Sequence, residues 1–221
     1  MDGEALALSL RLAGATALVL LPVGLWLGRS LAFGRLKGMG LIEALVTLPL
    51  VLPPTVLGYY LLQSFTGTAP LGALFEALLG HPLAFSFAGL LLACMVANLP
   101  FAVQPMQRGF EAIPREVREA AAVSGLSPLR AFLKVELPLA LPGILTAMVL
   151  TFAHTIGEFG VVLMVGGAIP GETRTAAIAI YDSVQAFDMQ TAGRMSALLL
   201  LLSVGAILAV QSLGRRIQAH G

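Results

Sequence analysis

Five stretches of the chain run for about 20 residues with hardly a charge, and Arg, Lys, Asp and Glu collect between them. They centre on 8–28, 43–64, 84–106, 139–165 and 195–213. A lipid interior offers the backbone no hydrogen-bonding partner, so each run must bond within itself as a helix. The last is the cleanest: Met195 to Gly214 reads MSALLLLLSVGAILAVQSLG. In the first, Arg11 stands near the start and can snorkel to the interface, leaving Leu12 to Gly28 free of charge. The pattern predicts an all-α, polytopic transmembrane bundle of about five spans, with residues 1–221 forming one transmembrane domain. It leaves open whether a short segment near 29–40 also enters the membrane.

Composition agrees. Of 221 residues, 57% are hydrophobic and 11% charged, and the mean hydropathy of +0.90 excludes an ordinary soluble domain. Thirteen basic against twelve acidic residues give no concentrated basic surface for nucleic acid. Cys94, the single cysteine, lies in an apolar run and reads as a small buried hydrophobe. Asp2 and Glu4 precede the first run and Arg29, Arg35 and Lys37 follow it, the reverse of a cleavable signal peptide, so the first run reads as an anchor. Cations favour the cytoplasmic side. Placing the N-terminus outside puts Arg29, Arg35, Lys37, Arg108, Arg115, Arg118, Arg130, Lys134, Arg215 and Arg216 inside, against Arg11, Arg174 and Arg194 outside. The C-terminus is then cytoplasmic, with Tyr59 and Tyr60 near the outer interface and Trp26 near the inner one.

The longest basic loop, 107–138, is punctuated like two short helices. Pro114 suits the first turn of one and Gly125 its left-handed cap; Ser127 can cap a second that opens on Pro128 and is expected to stop before Pro138. Arg115 and Glu119 are spaced to pair along the first helix. Ala120, Ala121 and Ala122 leave a bare surface that another protein can approach, flanked by Arg118 and Glu119 for directional contacts; a solvated hairpin is the plainer reading.

The order Glu119-Ala120-Ala121, three residues, Gly125, nine residues, then Val135-x-Leu137-Pro138 resembles the EAA loop of ABC-importer permeases, with Val135 at a position usually Ile. The second run from Leu45 to Leu62, Gly157-Glu158-Phe159-Gly160, and Ile169 to Thr175 resemble the molybdate-importer permeases, with sulfate permeases the nearest confusion. The resemblance implies a coupling helix seated on a cytoplasmic ABC ATPase dimer, with Arg118, Glu119, Ala120, Ala121 and Gly125 as coupling residues and Pro138 as the junction to the next span. It further implies a second copy of the permease, an extracytoplasmic oxyanion-binding protein and residence in the inner membrane. Molybdate is the substrate it implies, with sulfate or tungstate as alternatives.

No GxxxxGK[ST] loop occurs, so ATP and Mg belong on the partner ATPase, and this chain is expected to bind no cofactor and perform no covalent chemistry. An ATP-independent channel or carrier is the competing class. Pro49, Pro53 and Pro54 are either tolerated kinks or the break of a gate, and Pro53, Pro54, Gly157 and Glu158 are candidates for the pathway. His154 and Glu158 share a helix face. Counted from Leu139, Glu158 lies about 28 Å along its helix, which predicts an exposed carboxylate near the outer surface, paired with Arg174 or Arg194. No HExxH or Cys/His cluster suggests a metal, the eight Met residues have no regular spacing, and His81 and His220 read as loop and tail residues.

Overall fold

A computed structural model describes residues 2–34 and 38–219. Every regular element among them is helical: α1 (Gly3–Phe33), α2 (Met39–Val51), α3 (Pro54–Phe65), α4 (Pro70–Leu79), α5 (Phe87–Glu111), α6 (Arg115–Val123), α7 (Pro128–Ala131), a π-helical turn (Phe132–Glu136), α8 (Leu137–Gly157), α9 (Gly160–Gly166), α10 (Ala176–Gln185) and α11 (Met189–Ala219). Four continuous helices are long and apolar enough to cross a membrane, and the bent pair α2 and α3 passes the same test only when its two helices are counted together as one broken span. Arg35, Lys37 and His220 lie outside the described residues, as do the side chains of Arg215 and Arg216.

The core is a bundle of α1, α5 and α8. In lipid the hydrophobic effect does not drive helices together, so close backbone approach through small residues matters more. At Gly143 of α8 an added Cβ would lie 2.5 Å from the Pro105 carbonyl oxygen and 2.9 Å from Gly109 Cα on α5. Only glycine permits that crossing. Gly24 and Gly28 of α1 pack as tightly against Ala102, Met106 and Gln107, while Leu12 meets Leu90 and Cys94 further along the same pair. Hence α1 and α5 run parallel and α8 runs against both.

The chain's two ends of the bundle are tied separately. At the end carrying α6 and α7, the Arg29 side chain donates twice to Glu136, at 2.5 and 3.1 Å, and Phe110 contacts both Phe33 and Phe132. At the opposite end, Arg174 pairs with Asp2 and Asp182, the Ala176 amide donates to Ser9 Oγ, and Ala5, Ala179 and Met195 share a small cluster. The N-terminus, α10 and the start of α11 therefore lie at one end, and the residues following α5 at the other. Arg11 lies 4.6 Å from the centre of the Phe87 ring at that opposite end.

Two expectations are corrected. The second loop helix does not stop before Pro138: Pro128–Gly157 is one helix of 30 residues. The π turn, closed by the Leu137 amide on the Phe132 carbonyl, ends just before Pro138, so the missing N–H falls where the hydrogen-bond register already changes. The fourth run is two helices, interrupted at Glu158 and Phe159. The segments outside the runs also hold α4 and α10, each of ten residues and too short to span.

Candidate functional site

Both interrupted spans break at the same place. After α2, Leu52 and Pro53 are extended, with ψ of 137° and 134°, and α3 leaves at 112° to α2. Pro54 opens α3 because a first-turn position needs no N–H. After α8, Glu158 is extended with ψ of 123°, and α9 begins two residues later. The breaks touch: a Cβ on Gly160 would lie 2.7 Å from Pro54 Cβ. Between them lies a cavity of about 230 Å³, walled by Pro49 and Pro54, by Ala97 and Phe101 of α5, and by His154 and Glu158. Thus Pro54 and Glu158, far apart in sequence, line one space. Pro53 is the extended residue just before α3, and Gly157 is the exposed last residue of α8.

A short polar chain runs along the wall of this cavity. Asn98 donates through Nδ2 to the Cys94 carbonyl at 2.8 Å, so its Oδ1 faces His154 Nδ1 at 3.1 Å. The imidazole stacks on Phe101, with ring centres 4.2 Å apart, and Glu158 Oε2 lies 3.9 Å from Nδ1. The other Glu158 oxygen accepts the Val161 amide at 3.0 Å and so caps the first turn of α9. Asn98 comes eleven residues after Phe87 and thirteen before Glu111, which puts His154 level with the middle of α5.

The expected environment of Glu158 is corrected accordingly. It is buried, neither Arg174 nor Arg194 pairs with it, and it lies within the bundle. A count along one helix gives height but not neighbours: Pro54, His154 and Val161 lie around the carboxylate, and among the described residues no arginine does.

The second group of candidates is the hairpin of α6 and α7. Ser127 Oγ accepts the Arg130 amide, and Gly125 has φ of +72°. The Leu126 amide bonds the Ala121 carbonyl and the Gly125 amide the Ala122 carbonyl, the paired closure of a Schellman cap. Arg115 donates to Glu119, both exposed. Ala120 and Ala122 are exposed but Ala121 faces inward, so the alanine run is split between faces. Arg118 also turns inward, with its guanidinium 3.8 Å from the centre of the Phe33 ring. It therefore fastens α6 to the end of α1, leaving Glu119, Ala120 and the 89% exposed Val123 as the outward surface. Pro138 is exposed at the start of α8.

Sequence reasoning missed the Arg29–Glu136 bridge, the Asn98–His154 bond and the stacking of Arg118. Their partners lie on different helices, and no local spacing marks such pairs. Asn98, a lone amide in an apolar run, carried the only available signal.

The family model for the binding-protein-dependent transport system inner membrane component matches residues 21–218. The chain belongs to this family. It is 46% identical to the molybdenum transport system permease protein ModB of Azotobacter vinelandii over 99% of this chain and 96% of that protein. Identity to the protein of the same name from Haemophilus influenzae is 34%, with the same coverage. A probable sulfate transport system permease protein of Nephroselmis olivacea is 31% identical, over 94% of this chain and 72% of that one. Among solved structures, an inward-facing methionine ABC transporter matches with a TM-score of 0.78 at 19% identity, covering 98% of this chain and 96% of that one. A bacterial alginate ABC transporter matches with a TM-score of 0.76 at 15% identity, covering 97% and 79%. The fold is thus that of an ABC-importer permease, and the chain is a multi-pass inner-membrane subunit.

Proposed function

We propose that this chain is the non-catalytic permease subunit of an ATP-driven molybdate importer. The observation that carries the reading is 46% identity to a molybdenum transport permease along nearly the whole of both chains. Two copies enclose a central pathway, a dimeric cytoplasmic ATPase holding ATP and Mg sits below, and an extracytoplasmic binding protein delivers the oxyanion from above. The outward surface of α6, with Glu119 and Ala120, docks on the ATPase. Gly125 aims it, and Arg118, Ala121 and Pro138 join it to the spans. Facing breaks at Pro53–Pro54 and Gly157–Glu158 support a gate, since a discontinuous span can open without shearing a continuous helix.

The orientation that fits places α6 and α7 in the cytoplasm and α10 outside, in line with the distribution of cations. A cysteine at Thr175 should then react with an impermeant thiol reagent added outside, and one at Ser127 should not; the opposite pattern overturns the orientation. For the substrate, the reconstituted complex should hydrolyse ATP faster with molybdate-loaded binding protein and accumulate molybdate only with ATP. Stimulation by sulfate alone would move the assignment to the sulfate permeases, and uptake without the ATPase would make this a carrier.

A further inference from the structure

The cavity at the two breaks contains one feature that transport through a passive gate does not require, the oriented imidazole of His154. Asn98 acts as an acceptor toward it, because the atom that meets the ring is Oδ1, turned there by the bond from Nδ2 to the Cys94 carbonyl. Nδ1 of His154 must therefore carry hydrogen. Phe101 stacks on the ring and keeps it in place. That leaves Nε2, which has no hydrogen-bonding partner among the described residues, as the nitrogen available to a ligand, on a side chain that is 37% exposed and lines the cavity.

We propose that His154 is a binding station for the imported oxyanion, giving it a hydrogen bond from Nε2 while Asn98 holds the other ring nitrogen. This rests on the oxyanion-importer reading above. A fully deprotonated tetrahedral oxyanion only accepts hydrogen bonds. The neutral ring with its hydrogen on Nδ1 presents a lone pair at Nε2, which repels such a ligand. The station therefore works as the imidazolium, taking its second proton from water. Glu158 is the counter-charge within reach, and it offsets the cation when the oxyanion is absent.

No other charged side chain lines the cavity among the described residues; the second span contributes Pro49, Leu50, Leu52, Pro54 and Leu57, and α9 contributes Val161. Cys94 is buried behind Asn98. The charges on the other helices packed on α8 are used elsewhere or lie away from the ring. Arg11 is over Phe87, Arg29 is bonded to Glu136, Asp182 is bonded to Arg174, and Arg194 is exposed near the start of α11.

The test is the number of molybdate ions imported per ATP hydrolysed by the reconstituted full complex. His154→Phe keeps a ring for Phe101 but has no donor, and should lower this ratio about tenfold, the scale of one hydrogen bond to a charged group. The wild-type ratio should fall as pH rises, because the imidazolium is lost. In His154→Gln, whose donor does not titrate, the ratio should stay level. A wild-type ratio in His154→Phe, or a wild-type pH profile in His154→Gln, overturns the proposal. Stimulation of wild-type ATP hydrolysis by molybdate-loaded binding protein tests the importer reading separately. If another oxyanion stimulates instead, the same ratios are read with that ion.

Discussion

The same two helices, α5 and α8, behave in opposite ways a few turns apart. Around Gly109 and Gly143 their backbones are in contact, the Arg29–Glu136 bridge ties in α1, and Phe33, Phe110 and Phe132 fill what remains. Near Asn98 and His154 they border a cavity closed on its far side by two broken spans. Close-packed interiors move as bodies, whereas discontinuities are where bodies move relative to one another. In the proposed mechanism, the first region carries displacement from α6 and the second turns it into opening. Both properties come from small changes in sequence: glycine facing glycine in one place, and proline or an extended Glu158 in the other.

One added methyl group distinguishes the regions most sharply. Gly143→Ala would press a Cβ against backbone on α5, which cannot rotate away, and should cost about 2–3 kcal/mol. Gly160→Ala would bring a Cβ to 2.7 Å from Pro54 Cβ, with backbone of Pro54 and Thr55 at 3.5 and 3.6 Å, but α3 borders an open cavity into which it can yield, so the cost should be smaller, about 1 kcal/mol. Thermal unfolding of the two purified variants in one detergent checks this, and equal losses would remove the distinction between a locked and a yielding region.

A smaller effect is expected at the bridge. Glu136→Ala leaves Arg29 without its carboxylate, but that arginine side chain is 40% exposed and water compensates in part, so the loss should be about 1 kcal/mol. Stimulated ATP hydrolysis should then continue with less uptake per ATP, because α1 no longer follows α8. If uptake per ATP is unchanged, the bridge is structural decoration and the rigid region ends at the glycines.

The spans were legible in the sequence because hydrocarbon tolerates so few residue types, and the hairpin caps because Pro114, Gly125 and Ser127 each suit few backbone positions. The break at Pro53 and Pro54 announced itself through two missing N–H groups. Its counterpart at Glu158 did not, since Gly157-Glu158-Phe159-Gly160 carries no proline. The burial of Glu158 was missed for another reason: counting along one helix gives height but not the neighbours that enclose the carboxylate. Arg118 illustrates another limit, as composition shows a cation on a loop but not that Phe33 waits beneath it.

The π turn at Phe132–Glu136 has a consequence for inheritance rather than for mechanics. A turn of this kind holds one residue more than the α-helical path through the same space. Deleting that residue would restore regular winding and leave the helices on either side where they are, whereas deleting one from the regular turns of α8 would rotate everything before it by about 100°. The azimuth of α6 is thus recorded as a residue count with one residue of slack: a single-codon deletion at the π turn is absorbed there, whereas the same deletion in the regular turns of α8 would turn the outward face of α6 toward a different quarter of its surroundings.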